Sequence, residues 1–187
     1  MSLQVNHYPV QPGLYAGEYP GHQSPNVAET RLRELVGRGV QTFIDLTTRE
    51  DAVDGLVPYE PVFVAVDGGG SRGLKRYSFP IPDMGIPSGP ELMRGVMDLI
   101  RAEIAAGRTC YVHCWGGIGR TGTAVACWLR EEGLDAAAAL AEVQRLYDAH
   151  MDERKRARYP RSPQQQAQVR YVEEWTARYA EIPNSKL

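Results

Sequence analysis

Short runs of apolar and β-branched residues alternate along this chain with longer segments in which apolar side chains recur every three or four positions. The first pattern is typical of buried strands, and the second is typical of helices that cover a sheet. The predicted strands span residues 13–17, 40–46, 62–67, 75–79 and 109–113. The predicted helices span residues 27–38, 88–107, 121–130, 135–150 and 162–180. This order predicts an α/β fold, a three-layer sandwich in which helices flank a mostly parallel central sheet.

The helix at 88–107 has the clearest sequence signature. Ser88 and Glu91 have the spacing of a capping box, in which each side chain bonds the backbone amide of the other residue. Apolar side chains then recur at helical period until Gly107, and these are Met93, Val96, Met97, Ile100 and Ile104. Upstream, the three consecutive glycines at 68–70 predict a mobile turn between two strands.

Composition limits the classes of protein to which this chain can belong. Its 187 residues are 43% hydrophobic, so we expect 1–187 to form a single domain with a core at about 13–180 and short tails. A net charge of −2 gives no bulk attraction to nucleic acid or to an anionic membrane surface. No stretch has the length and apolarity for membrane insertion, and the N-terminus lacks a leader pattern, so a cytoplasmic location is expected. The oligomeric state stays open.

The most informative motif runs from His113 to Gly122. Cys114 and Arg120 lie six positions apart there and bracket a glycine-rich loop, residues 114–120, which we name the cradle. Because glycine tolerates positive φ, consecutive amides of this loop can point into one concavity that binds an anion, and the planar guanidinium can hold two phosphate oxygens. The residues predicted to bind phosphate are Trp115, Gly116, Gly117, Ile118, Gly119 and Arg120. Between a strand end and a helix start, these positive groups favour the nucleophilic thiolate form of Cys114.

A candidate proton donor lies upstream, in the segment 79–88. Three prolines and a glycine surround Asp83 there, which predicts an ordered turn rather than a helix or a strand. Displacement of an alkoxide or phenoxide from phosphorus is slow unless the departing oxygen is protonated, which calls for an acid near the cradle. Asp83 could instead satisfy only its own turn backbone, but with the cradle in the same chain it is the leading candidate.

Other interpretations of these residues predict less chemistry. A glycine-rich turn could be inert, and a phosphate cradle without a catalytic partner would be a binding module. Cys110 and Cys127 are expected to be inert core thiols, and three cysteines do not make a disulfide framework. The four histidines are scattered and no Cys-x-x-Cys pair exists, so no metal and no other cofactor is predicted.

The run from His113 to Gly122 resembles the HCxxGxxR(S/T)G signature of the protein tyrosine phosphatase superfamily. The Pro82-Asp83 pair upstream resembles the acid loop of the dual-specificity branch. The resemblance covers roughly residues 13–179 and implies a phosphotyrosine-phosphatase-like fold. It also implies hydrolysis of phosphomonoesters through a covalent phosphocysteine intermediate.

Residue roles are carried over from the same resemblance. It implies that Cys114 is the nucleophile and that Arg120 binds the phosphate and the transition state. Asp83 is implied to be the general acid and then the general base. The resemblance further implies that His113 supports the loop and the thiolate, and that the Thr121 hydroxyl assists the departure of Cys114.

The loop composition bears on the substrate. Trp115 and Ile118 are uncharged, whereas superfamily members that act on inositol lipids often carry lysines at such positions. This favours a substrate with one phosphate, either protein phosphotyrosine, with phosphoserine and phosphothreonine next, or a small phosphomonoester. An inositol polyphosphate or phosphoinositide is the alternative, and a basic cluster at Arg72, Lys75 and Arg76 could serve it, although a solvated loop is the simpler interpretation.

Three further segments carry weaker signals. Residues 162–168 resemble the glutamine loop that positions the hydrolytic water in many superfamily members, and four glutamines leave the register open, with Gln164 favoured over Gln168. The charged segment 152–158 is expected to be a solvent-facing connector. Asp45, at the end of its strand, is expected to bond its own turn rather than the cradle.

Overall fold

The computed structural model describes residues 4–180, with side chains described up to residue 176, around a five-stranded sheet. The strands are β1 His7–Gln11, β2 Leu14–Gly17, β3 Val40–Asp45, β4 Lys75–Ser78 and β5 Thr109–His113. They lie in the order β1-β2-β5-β3-β4, and β1 pairs antiparallel with β2 whereas the remaining pairings are parallel. The predicted mostly parallel sheet is therefore confirmed, and the predicted tail at 181–187 lies outside the described residues.

Helices cover both faces of the sheet. Those of the described chain are α1 Pro25–Gly37, α2 Arg49–Val53, α3 Glu60–Asp67, α4 Pro90–Ala105, α5 Gly119–Glu131, α6 Ala136–His150, α7 Glu153–Arg158 and α8 Gln166–Ala180. One apolar core packs α1 and α3 against side chains such as Phe43, and a second packs α4, α5, α6 and α8 against side chains such as Ile44. Two cores on opposite faces of one sheet confirm the predicted three-layer sandwich.

The alternation of side chains along β5 positions the candidate chemistry. Cys110 and Val112 point into the core beneath α4 and α5, whereas Tyr111 points into the core beneath α1 and α3. His113 follows Tyr111 on that second face, and Cys114 follows Val112 on the first. The strand end therefore directs His113 and Cys114 to opposite sides of the sheet.

The predicted strand at 62–67 is wrong, because this segment forms α3. Pro61 occupies one of its first helical positions, and Gly68 ends it with φ of +67, a conformation that glycine adopts without strain. Phe63 and Val66, three positions apart, are buried, whereas Val64 between them is exposed. Two helical turns are too short for their period to be distinguished from an apolar strand run.

Two helix starts also differ from the prediction. α4 begins with Pro90, and the cap is the extended Gly89 rather than Ser88, because a residue before proline is disfavoured in the helical conformation. α8 begins at Gln166 rather than at 162. The N-terminal segment predicted to be a tail contains β1, which forms the antiparallel edge of the sheet.

Between residues 4 and 180, no helix combines the length and the apolarity needed to span a bilayer. Over the same range, no cluster of three or more histidine, cysteine, aspartate or glutamate side chains is arranged to hold a metal ion.

Candidate active site

The loop between β5 and α5 lies where two neighbouring strands lead to helices on opposite faces of the sheet. β2 leads to α1 on one face, and β5 leads to α5 on the other. Such a divergence leaves a crevice beyond the carboxyl ends of parallel strands, where ligands of α/β proteins bind. The predicted phosphate cradle, residues 114–120, lies at this position.

The carbonyls of the cradle are bonded by groups outside it. The carbonyl of residue 115 accepts from the Tyr19 amide at 3.0 Å. The carbonyl of residue 116 accepts from Lys155 Nζ at 2.9 Å, and that of residue 118 accepts from the Ser162 hydroxyl at 2.8 Å. The carbonyl and the N–H of a trans peptide unit point in opposite directions, so the amides of 116, 117 and 119 face the other side. Within residues 4–180 these three amides have no hydrogen-bond partner, so they are available for the predicted anion nest.

The cradle packs closely on the end of β2. Gly117 has φ of +72, and a Cβ on it would lie 2.4 Å from the carbonyl carbon of Gly17, so only glycine fits. Thr121 is buried at the same junction, where its hydroxyl donates to the Gly17 carbonyl at 3.4 Å. The residue predicted to assist the departing thiolate therefore lies beside the cradle with its hydroxyl directed to β2.

The three cysteines lie in different surroundings. Cys114 is 3% exposed and lies at the start of the cradle, before the positive end of α5. Cys110 and Cys127 are free thiols inside the core. Burial raises the pKa of Cys110 to about 12 and raises the pKa of Cys127 well above its ordinary value. Both residues therefore stay protonated near neutral pH and do not supply a reactive thiolate.

Arg120 is 2% exposed, and its guanidinium connects three segments of the chain. Nη1 and Nη2 donate to the carboxylate of Asp51 at 2.8 and 2.9 Å, and Nη1 also donates to the Ile81 carbonyl at 3.0 Å. Nη2 lies 2.8 Å from Oδ1 of Asp83. Among the described residues Nε has no partner, although it is buried, so Arg120 retains a donor for a phosphate oxygen.

Asp51 is a site residue that the sequence analysis missed. Burial by itself would raise the pKa of Asp51, but the hydrogen bonds and charge of Arg120 hold that pKa below its ordinary value. The paired charge fixes the guanidinium at the mouth of the cradle. A sequence signal existed, because Thr48 and Asp51 form a capping box at the start of α2.

Asp83 lies on an exposed turn above the cradle. Its side chain is 54% exposed, and its position beside Arg120 brings the predicted acid to the predicted phosphate binder. The turn is closed by a bond from the Gly85 amide to the Pro82 carbonyl at 2.9 Å. Met84 within it has φ of +57, which is uncommon for a residue with a side chain.

His113 lies beneath the cradle in an aromatic pocket. Its ring stacks on Tyr111, and Nε2 bonds the Tyr59 hydroxyl at 3.0 Å. Nδ1 lies 3.8 Å from the carboxylate of Asp45. Burial lowers the pKa of His113 below its ordinary value despite that carboxylate, so the imidazole is neutral near pH 7.

The segments around 45 and 68–76 are held by ion pairs. Asp45 accepts from the Thr47 amide at 2.8 Å, which is the local contact expected for it, and also pairs with Arg76 at 2.7 Å. Arg76 pairs in addition with Glu60, and Lys75 lies 3.7 Å from Glu103. Lys75 and Arg76, two of the three residues of the basic cluster, therefore form ion pairs with acidic side chains.

The glutamine segment approaches the cradle from above α5. A Cβ placed on Gly119 would lie 2.9 Å from Oε1 of Gln164 and 2.9 Å from Nε2 of Gln168. Both candidate glutamines thus contact the cradle. They differ in burial, because Gln168 is fully buried whereas Gln164 is partly exposed.

The charged segment 152–158 has no buried residue in its helical part, as expected of a solvent-facing connector, and most of it is helical. It forms α7, and Asp152 caps it by accepting from the amides of Arg154 and Lys155. Lys155 also bonds Glu18, so its ammonium connects α7, the end of β2 and the Gly116 carbonyl.

Known proteins resemble this chain in sequence. Residues 21–172 match the family described as the Swiss Army Knife protein, DSP-PTPase phosphatase domain. An uncharacterized protein of Methanocaldococcus jannaschii is 43% identical over 56 residues, which are 30% of this chain and 37% of that protein. Laforin of Mus musculus is 37% identical over 58 residues, which are 31% of this chain and 18% of laforin. The matches span well under half the length of either relative.

Solved structures share the fold at low sequence identity. Tk-PTP in its active form has a TM-score of 0.68 at 24% identity, covering 92% of this chain and 97% of that one. Kinase associated phosphatase has a TM-score of 0.71 at 19% identity, covering 95% and 96%. PTPMT1, solved in complex with PI(5)P, has a TM-score of 0.66 at 16% identity, covering 93% and 99%.

Proposed function

The chain belongs to the Swiss Army Knife family of DSP-PTPase phosphatase domains, in the protein tyrosine phosphatase superfamily, and from this we propose a metal-independent cysteine phosphatase with Cys114 as nucleophile. One observation carries the proposal: Cys114 begins the cradle, Arg120 ends it, and Asp83 reaches Arg120 at 2.8 Å. An inert glycine-rich turn would give no reason for an acid from a distant loop to meet the arginine there.

In the first step, the Cys114 thiolate attacks phosphorus and forms the S–P bond while the bond from phosphorus to the leaving oxygen breaks. The inward amides and Arg120 hold the other phosphate oxygens and stabilise their charge. A bound phosphate dianion displaces the Asp83 carboxylate from Arg120. Once released, Asp83 takes up a proton from solvent and gives it to the leaving oxygen, and the product departs as a neutral alcohol or phenol.

In the second step, water attacks the phosphocysteine. The Asp83 carboxylate takes a proton from this water, the S–P bond breaks, and its electron pair returns to Cys114 as the thiolate. Gln164 orients the water from its place on Gly119, and the Thr121 hydroxyl turns from Gly17 to the departing sulfur. Inorganic phosphate leaves, so no oxidant, metal or cofactor is consumed.

For the substrate we propose protein phosphotyrosine, with phosphoserine and phosphothreonine next. Exposed apolar side chains flank the site at Met84 on the acid loop and at Trp115 in the cradle. A phenyl ring can pack on such surfaces while its phosphate reaches the nest.

An inositol polyphosphate or phosphoinositide is the second candidate, because PTPMT1 with bound PI(5)P shares the fold. Further phosphates on the ring would need basic side chains without acidic partners. The basic cluster supplies few of them, since Lys75 and Arg76 are paired with Glu103, Asp45 and Glu60. This pairing favours the substrate with a single phosphate.

The first test is hydrolysis of p-nitrophenyl phosphate in excess EDTA by the wild type, by Cys114→Ser and by the matched core variant Cys110→Ala. We expect steady turnover in the wild type and in Cys110→Ala. Turnover of Cys114→Ser should fall by at least about ten-thousandfold, because a serine hydroxyl is a far weaker nucleophile than a cysteine thiolate. Protein trapped during turnover should carry one phosphate on Cys114, detectable by mass spectrometry after acid quench.

Other outcomes would overturn the proposal. If the wild type binds vanadate but turns over no phosphomonoester, the protein is a binding module and not an enzyme. If Cys114→Ser keeps activity, the nucleophile is assigned wrongly. Values of kcat/KM for phosphotyrosyl peptides, phosphoseryl peptides and inositol phosphates then decide the substrate class, and the highest value for an inositol phosphate would contradict the protein substrate.

A further inference from the structure

Gln168 is fully buried, and its side-chain amide connects two segments of the site. Its Oε1 accepts from the backbone amides of Gln164 and Gln165, each at 3.1 Å. Its Nε2 donates to the Gly85 carbonyl at 3.0 Å. Both lone pairs of the oxygen and at least one N–H are therefore used inside the protein.

Gly85 belongs to the turn that carries Asp83. The Gly85 amide bonds the Pro82 carbonyl, so the residues from 82 to 85 form one closed unit with Asp83 inside it. The Gln168 bond to the Gly85 carbonyl ties this unit to the start of α8. Gln165 adds a weak contact from its Nε2 to the Met84 sulfur at 4.0 Å.

The same side chain also lies against the cradle. A Cβ on Gly119 would approach Nε2 of Gln168 to 2.9 Å, so Gly119 leaves room for this amide. Gln168 thus contacts the cradle, the acid turn and the backbone of Gln164 at once. A shift of its amide would move Asp83 and Gln164 relative to the bound phosphate.

The hydrogen bonds separate the roles of the two glutamines. The side chain of Gln164 makes no hydrogen bond to any residue in the range 4–176, so its amide is free to bind water above the cradle. The oxygen of Gln168 is already saturated by two backbone donors. Gln168 therefore has no acceptor to offer the hydrolytic water.

We propose that Gln168 is a positioning residue that fixes the acid turn of Asp83 on the cradle. This inference rests on the proposed phosphatase mechanism, because its effect is exerted through the proton that Asp83 delivers. It also assigns the register of the glutamine segment, with Gln164 at the water and Gln168 as the connection to Gly85.

Gln168→Glu tests the connection with little change of shape. A glutamate keeps the acceptor for the amides of Gln164 and Gln165, and a negative charge is favourable at the start of α8. It loses the donor to Gly85 and sets a carboxylate against the Gly85 carbonyl. We expect turnover of phenyl phosphate, a poor leaving group that needs the acid, to fall about thirtyfold, and that of p-nitrophenyl phosphate by less than about threefold.

The matched control is Gln166→Glu, which makes the same charge change on an exposed residue of the same helix turn. It should match the wild type on both substrates. A second variant, Gln168→Asn, keeps the amide but is one methylene too short to span from α8 to Gly85. It should show the same selective loss for the poor leaving group. Thermal unfolding measured on each variant confirms that the compared proteins are folded.

A double-mutant cycle with Asp83→Ala completes the test. Without the acid, Gln168→Glu should cause no further loss on phenyl phosphate. Equal losses on both substrates, or a full additional loss in the Asp83→Ala background, would overturn the positioning role. A failure of the phosphatase mechanism itself would look different. Either the wild type would not turn over phosphomonoesters or Cys114→Ser would stay active, whatever residue stands at position 168.

Discussion

The two sides of the candidate site are built differently. The cradle at 114–120 is buried apart from residues 115 and 116, and its carbonyls and guanidinium are held by Tyr19, Lys155, Ser162 and Asp51. The acid turn at 82–85 is exposed at Asp83 and is held by its own turn bond, by the ion pair with Arg120 and by Gln168. Many contacts hold the cradle in place, whereas few contacts hold the acid turn.

This difference matches what each side has to bind. In the proposed mechanism every substrate presents the same phosphate, so a rigid nest organised in advance would give the largest stabilisation of the transition state. The leaving group changes from substrate to substrate and has to enter and depart, which suits an acid on a turn that can move. Changes in the cradle should therefore affect all substrates alike, and changes in the acid turn should depend on the leaving group.

The strongest test of the cradle is Arg120→Lys. Lysine keeps the charge but cannot hold two oxygens in a planar fork, and it cannot pair with both oxygens of Asp51. We expect kcat/KM to fall about a thousandfold on p-nitrophenyl phosphate and by a similar factor on phenyl phosphate. The measurement is steady-state kinetics on both substrates.

Arg161→Lys is the matched control, because Arg161 is exposed and makes no ion pair with any residue in the range 4–176. Its kinetics should be those of the wild type. A loss in Arg120→Lys that differs strongly between the two substrates would contradict the separation of the two sides.

Asp83→Ala tests the acid side and should have the next largest effect. Turnover of phenyl phosphate should fall about a hundredfold because no proton reaches the leaving oxygen, and turnover of p-nitrophenyl phosphate should fall much less. KM should change little, since Arg120 and the amides still bind the phosphate. Asp54→Ala, at an exposed aspartate after α2, serves as control. Wild-type turnover of Asp83→Ala on phenyl phosphate would show that another group is the acid.

The cradle and the acid turn could be predicted from sequence because both are local. Residues 113–122 carry the glycines, the cysteine and the arginine within one loop, and the prolines around Asp83 fix a turn whatever it packs against. The strand-and-helix order likewise follows from local periodicity, and it predicts the sheet correctly apart from β1 and the segment that forms α3.

The supporting residues could not be predicted in the same way. Asp51 lies 69 positions before Arg120, and Gln168 lies 83 positions after Gly85, so these pairs meet only once the sheet has formed. Buried pairing of this kind leaves no periodic trace in a single sequence. The error in α3 has a different cause, because two helical turns present too few positions to establish a period.

The smallest effect concerns the buried underside of the cradle, at His113. Burial holds the pKa of His113 below the ordinary value of 6.5, with Asp45 opposing this shift and Arg76 and Arg120 reinforcing it. The unfolded chain therefore binds a proton at this residue more readily than the folded protein does. The contribution of His113 to the free energy of unfolding is complete above pH 6.5 and is lost as the pH falls from 6.5 towards the pKa of the folded protein. Over this range the free energy of unfolding changes by at most about 1.4 kcal/mol per pH unit.

Urea unfolding measures this slope when it is carried out between about pH 7.5 and about pH 5. These values lie roughly one unit or more on either side of the ordinary histidine pKa of 6.5. His113→Gln should be less stable than the wild type at the upper end, because the Tyr59 hydroxyl loses its imidazole partner, but its stability should fall less on acidification. His150→Gln, at the exposed end of α6, should keep the wild-type slope. If His113→Gln also kept that slope, the imidazole would already be solvated in the folded protein, and the underside of the cradle would be as open as the acid turn.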